Sequence, residues 1–192
     1  MALIAKKTGG GGKYDLGPLA PNGMHRAVCV DIIDLGMQTT TFEGKTRERH
    51  MVLMIWQLDK RDTSTNKRYL AGKRYNLSLN EAATLRKDLE SWRGKAFTPA
   101  EEEGFDVNKV IGANCQVIVQ QVTKSTGTYA NVLTVAPRAP GQALAAENYK
   151  PVVVEESDSD DSDDPFAQDP AGLASVGGTT PPVPVTADDI PF

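Results

Sequence analysis

One change of period constrains this chain more than any other feature. Up to Leu79 its apolar residues come in short, β-branched runs: "HRAVCVDIIDLG", "RHMVLMIWQL" and "YLAGKRYNLSL". From Ala82 they recur at steps of three and four, at Ala82, Leu85, Leu89 and Trp92, one stripe on a helix. After Gly112 the β-type runs return in "ANCQVIVQQVT" and "TYANVLTVAP". Ser78 and Glu81 have the spacing of a capping box, and Gly94 stands where a helix would stop. Thr98, Pro99 and Glu101 mark the start of a second, short helix near 99–103, and "DVNKVIG" has the look of one more helical turn.

The connections sharpen the order. "KSTG" between the last two runs is a tight-turn sequence that makes them a hairpin, and "DKRDTSTNKR" is a turn between the second and third. "MQTTTFEGKTR" reads as a polar connection between the first and second. The predicted order is therefore β-β-β-α-β-β. A mainly β chain with that order is expected to be an OB-fold, a five-stranded Greek-key barrel with the helix closing one end.

Charge divides the chain into four expected parts. The 192 residues carry a net charge of −4, yet all 21 lysines and arginines precede Glu155, set against 15 carboxylates, a net of +6. The other ten carboxylates fall in the last 38 residues, which hold no base and few large apolar side chains. Such a segment buries too little surface to offset its ordering entropy. The expected layout is a Gly-rich basic arm over 1–23 and an OB domain over 24–140. A disordered acidic linker over 141–187 and a separate tip at 188–192 complete it.

Enzymatic chemistry finds no support. "GKT" at Gly44, Lys45 and Thr46 ends like a phosphate-binding loop, but Thr39 stands where that loop needs glycine. His25 and His50 have no partners at ligand spacing, so neither a metal nor another cofactor is expected. Glu101, Glu102 and Glu103 suit a helix start, where negative charge meets the dipole. Cys29 and Cys115 lie in apolar runs and read as small buried hydrophobes. No apolar run reaches the ~20 residues of a membrane span. The opening "MALIAKK" has the reverse order of a secretory signal, so a cytoplasmic location without membrane contact is expected.

What remains is cations interleaved with aromatics. The first connection holds Phe42, Lys45, Arg47 and Arg49; the second holds Lys60, Arg61, Lys67, Arg68 and Tyr69, leading to Lys73, Arg74 and Tyr75; the final hairpin adds Lys124 and Tyr129. Cations that track phosphates and rings that stack on bases are the chemistry of single-strand binding. Tyr75 shares a side with Leu77 and Leu79 and belongs to the core; Arg74 and Asn76 on the other side suit nucleic acid. Trp56 lies in a run apolar on both sides and is open to either role. Phe42, beside Lys45 and Arg47 in a loop, is the leading candidate for stacking.

The chain finishes on Asp188, Asp189, Ile190, Pro191 and Phe192, half echoed by "DDPF" at 163–166. An acidic, Gly- and Pro-rich tail with this tip resembles the bacterial single-stranded DNA-binding proteins, where the last residues dock replication and repair enzymes. The arm, the stretch "LNEAATLRKDLESWRGKAFTPAEEEGFD" and the strand "TYANVLTVAP" are more similar to bacteriophage-encoded members, over roughly 13–138. The resemblance implies a non-enzymatic protein that coats single-stranded DNA in replication, recombination or repair, in a host bacterial cytoplasm. It implies recruitment of replication or recombination proteins through residues 188–192. The tetramer and stacking aromatics of the bacterial proteins do not carry over, and homo-oligomerisation is left open. A strand-annealing or recombination mediator is one alternative; a protein-binding OB adaptor with a solubilising tail is another.

Overall fold

A computed structural model describes residues 13–42, 45–125, 127–141, 143–152 and 154–155. Its elements are β1 (Lys13–Tyr14), β2 (Gly23–Phe42), β3 (Lys45–Arg61), β4 (Arg68–Asn76), α1 (Thr84–Arg93), α2 (Pro99–Glu103), a 3-10 turn (Val107–Val110), β5 (Asn114–Lys124), β6 (Gly127–Ala136) and β7 (Val154–Glu155). Strands β2-β3-β4-β6-β5 close into a barrel, β5 returning to β2. All contacts are antiparallel except β4 with β6, which meet in parallel at Gly72 and Asn131. This is the expected OB-fold.

Closure depends on β2, which serves two partners. Residues 23–28 pair with β5 and residues 27–42 with β3. Its register slips between Cys29 and Asp31 and again between Asp34 and Gly36, and such bulges bend a strand around a barrel. Gly36 takes a φ of 69° at the second slip, where the Asp34 carboxylate accepts its N–H at 2.8 Å. A side chain with a Cβ would strain there.

Alternation then sorts the residues. Val52, Met54, Trp56 and Leu58 of β3 point into the barrel and meet Ala71, Tyr75, Cys115, Val117 and Val135. Helix α1 covers one end through Leu85, Leu89 and Trp92, as the stripe predicts. The Trp92 indole N–H donates to the Asn114 carbonyl at 2.8 Å, and its ring lies 6.3 Å from Trp56. The Tyr75 hydroxyl donates to Asp88 of the same helix at 2.7 Å.

Helix starts divide into one success and one correction. Thr98 and Glu101 form a full capping box at α2. The box expected from Ser78 and Glu81 does not form: α1 begins at Thr84 behind Ala83, with no side-chain cap, and Ser78 accepts from Asn80 N–H in a local turn. Arg86 binds α1 to its surroundings instead, donating to Glu90, Glu102 and the Leu79 carbonyl. Gly94 ends the helix in the left-handed conformation, as expected.

The two ends of the described chain depart from the expected layout. Residues 13–22 are part of the body, not a free arm. Tyr14 and Leu16 pack on Leu53 and Ile55 outside the barrel, Ala20 is buried, and Gln121 donates to the Ala20 carbonyl at 2.8 Å. Residues 143–152 likewise form a strap across the same outer side, where a free linker from 141 was expected. Tyr149 and Val152 join the outer apolar cluster. The two ends then meet, Lys13 opposite Glu155 and Tyr14 opposite Val154. The remainder of the arm (1–12), of the acidic linker and the tip at 188–192 lie outside the described residues.

Candidate nucleic-acid interface

The segment read as a polar connection is a strand pair. β4 reaches β3 only as far as Met51, whereas β2 and β3 stay paired out to Phe42 and Lys45. Residues 37–42 and 45–50 therefore extend about 20 Å beyond the barrel as a two-stranded ribbon. Gln38 stands opposite Arg49, Thr40 opposite Arg47 and Phe42 opposite Lys45. Residues two apart share a side of a strand, so Arg47 and Arg49 face the same way, Arg47 exposed and Arg49 half-buried.

That side continues into the barrel's outer surface through Met51, Leu53, Ile55 and Gln57. The neighbouring strand adds Arg74 opposite Leu53 and Asn76 opposite Met51. The Arg74 guanidinium lies over the Tyr14 ring, 5.3 Å from its centroid. Arg47, Arg49, Arg74 and Asn76 thus come together as a cationic strip, and Phe42 and Lys45 hold the next positions in the ribbon's register. The side chains of Phe42, Lys45 and Lys124 lie outside the described residues.

The opposite side of the ribbon has the other sign. There His50 meets the Asp34 carboxylate at 2.6 Å, and Glu48 stands opposite Thr39. A shallow pocket of about 250 Å³ opens below, with Ile32, Val52, Leu77 and Phe105 in its wall and Asp34 and Asp106 among its polar groups. Carboxylates repel a phosphate chain, so the cationic strip is the side that fits one.

Other candidates are placed elsewhere. Trp56 is a correction: it is fully buried among the barrel's core residues, and no base can reach it. An inward position on a central strand decided its role. Lys73 points toward α1, donating to Asp88 at 2.7 Å and to the Leu133 carbonyl at 2.9 Å. Tyr69 packs against the core with its hydroxyl 3.4 Å from Asp62. Lys67 is exposed in the β3–β4 turn, and Tyr129 is half-buried near the β5–β6 turn. Arg68 is held by the strap, donating to the Ala145 carbonyl at 2.8 Å.

The strap is the feature that sequence reasoning missed. Gln57, almost wholly buried, grips both main-chain groups of Glu147: its amide N–H donates to the carbonyl at 2.7 Å, and its oxygen accepts the Glu147 N–H at 2.8 Å. Asn114 does the same for Leu144, at 3.1 and 2.6 Å. The Tyr149 hydroxyl donates to Asp31 at 2.6 Å; burial first, then that carboxylate, push its ionisation well above the ordinary phenol range. Hydrogen bonding to Arg61 holds the Glu147 carboxyl below the usual range.

Among the described residues no cluster of three His, Cys, Asp or Glu could hold a metal ion. Burial raises both the Cys29 and Cys115 thiols, which leaves them poor nucleophiles. No helix among the described residues is long and apolar enough to cross a membrane. Neither a protein-family model nor a curated protein matches the chain.

Proposed function

We propose that this chain binds single-stranded DNA without catalysing a reaction on it. It coats exposed strands during replication, recombination or repair, and residues 188–192 dock partner enzymes. The observation that carries this reading is the strip of Arg47, Arg49, Arg74 and Asn76 along one side of the ribbon and onto β4 of an OB barrel. OB barrels bind single strands on this pair of strands and on the loop that here becomes the ribbon. Ribbon cations track phosphates, and each neutralised phosphate releases counterions. The terminal Ile190, Pro191 and Phe192 supply an apolar plug, with Asp188 and Asp189 for a basic rim on the partner.

Titration of fluorescent oligo-dT, oligo-rU and duplex DNA over a salt series tests the reading. Tight, salt-sensitive binding of oligo-dT is expected. The double variant Arg47→Ala/Arg49→Ala should flatten the slope of log K against log[salt] by about 1.4, two phosphates at about 0.7 each. No binding of oligo-dT in dilute buffer would overturn the reading and favour a barrel that binds protein.

A further inference from the structure

A second cation pair stands at the far end of β3, about 40 Å from Arg49 along the strand. Arg61 and Arg68 converge there on one carboxylate, that of Glu147 in the strap. Arg61 donates through Nη2 to Oε2 at 2.6 Å and through Nη1 to Oε1 at 3.1 Å, and Arg68 Nη2 stands 3.4 Å from Oε2. A forked guanidinium with a second cation behind it is the arrangement that grips a phosphate.

The carboxylate is separable from the strap that carries it. Gln57 holds the main chain of Glu147 whichever way its side chain points, and Arg68 keeps the Ala145 carbonyl through Nη1. The Arg61 and Glu147 side chains are 37% and 38% exposed, so solvent screens the pair and a competing anion can reach it. Nearby carboxylates are already engaged: Asp59 by Arg26, and Asp62 by Ser64, Thr65 and Tyr69. Lys60 and Lys67 are exposed in the same turn region. Removal of the Glu147 side chain from its seat would leave a positively charged point whose neighbouring acids among the described residues, Asp59 and Asp62, are already bonded elsewhere.

We propose that Arg61 and Arg68 form a phosphodiester subsite whose resident occupant is the Glu147 side chain, and that an incoming nucleic-acid backbone displaces it while the strap stays in place. The source of that phosphodiester rests on the proposed single-strand binding. The subsite adds one phosphate contact to those of the ribbon and ties affinity to a residue outside the acidic tail.

The test compares full-length wild type, Glu147→Gln, Arg61→Ala and the double variant in oligo-dT titrations over a salt series. Glu147→Gln should bind about threefold or more tightly at low salt with the wild-type slope, because no carboxylate has to be displaced, whereas Arg61→Ala in the wild-type background should flatten the slope by about 0.7, the loss of one phosphate. Arg61→Ala should abolish that gain. An unchanged affinity in Glu147→Gln, a gain that survives Arg61→Ala, or a wild-type slope in Arg61→Ala overturns the subsite. Glu147→Ala replaces the glutamine variant should the latter misfold. Failure of the wild type to bind oligo-dT would instead refute single-strand binding. Thermal shifts with inorganic pyrophosphate then judge the subsite: stabilisation of Glu147→Gln that Arg61→Ala removes supports it, and no stabilisation overturns it.

Discussion

Replacing Gln57 with alanine should loosen the strap and leave the barrel intact. The amide is buried and makes two hydrogen bonds to the Glu147 main chain, at 2.7 and 2.8 Å. A hydrogen bond of this kind nets about 0.5–1.5 kcal/mol, so losing both costs about 2 kcal/mol. That converts to about a 30-fold rise in the fraction of time the strap is open. Asn114, Tyr149 and Val152 still hold it, which limits the effect to local opening. Amide hydrogen exchange measures it directly. Residues 144–152 should exchange about 30-fold faster, while 115–119 in β5 stay within about twofold of wild type. Unchanged protection of the strap would refute the clamp. Equal acceleration in β5 would refute the strap as a separate unit.

Trp56→Ala should destabilise the fold by about 3–5 kcal/mol, the range for deleting a large buried aromatic, and lower the melting temperature by about 10 °C; a small shift would contradict its core position. Glu101 has its carboxyl lowered to about 2 by hydrogen bonds from the Thr98 main chain and then from Arg93. A depressed folded-state value means the contribution is complete above about pH 4.5 and fades as pH falls through about 2. Glu101→Gln should therefore flatten the acid limb of a melting-temperature profile; an identical limb would refute the assignment. Deleting 156–192 removes nine carboxylates tethered to a basic body and should raise oligo-dT affinity at low salt. Equal affinities for the two chains would rule out competition by the tail.

The barrel was legible because its signals are apolar. Val, Ile and Leu runs, the Leu85–Leu89–Trp92 stripe and the KSTG turn each fix an element, and their order fixes the topology. The ribbon was not, because β2 and β3 run on there past the last pairing of β4, where no packed sheet face imposes an apolar alternation. Its available signal was the β-branched threonine run facing "KTRER" across Glu43 and Gly44. The strap escaped for another reason. It is held through its main chain by Gln57 and Asn114, and main-chain anchoring leaves no pattern in the anchored residues; only Tyr149 and Val152 hint at burial. The candidate strip was half legible: Arg47, Arg49, Arg74 and Asn76 came together, whereas Trp56, Lys73 and Arg68 were claimed by core, helix and strap.

The pairing of Lys13 and Tyr14 with Glu155 and Val154 makes the described body almost a closed ring of chain. A short peptide splice between positions 13 and 155 would complete the ring, and new ends could be opened in the exposed 63–67 turn between β3 and β4. Such a circular permutant should keep the same barrel. It would also move the root of the acidic tail to the Arg61–Arg68 pole, uncoupling where the tail begins from what it does.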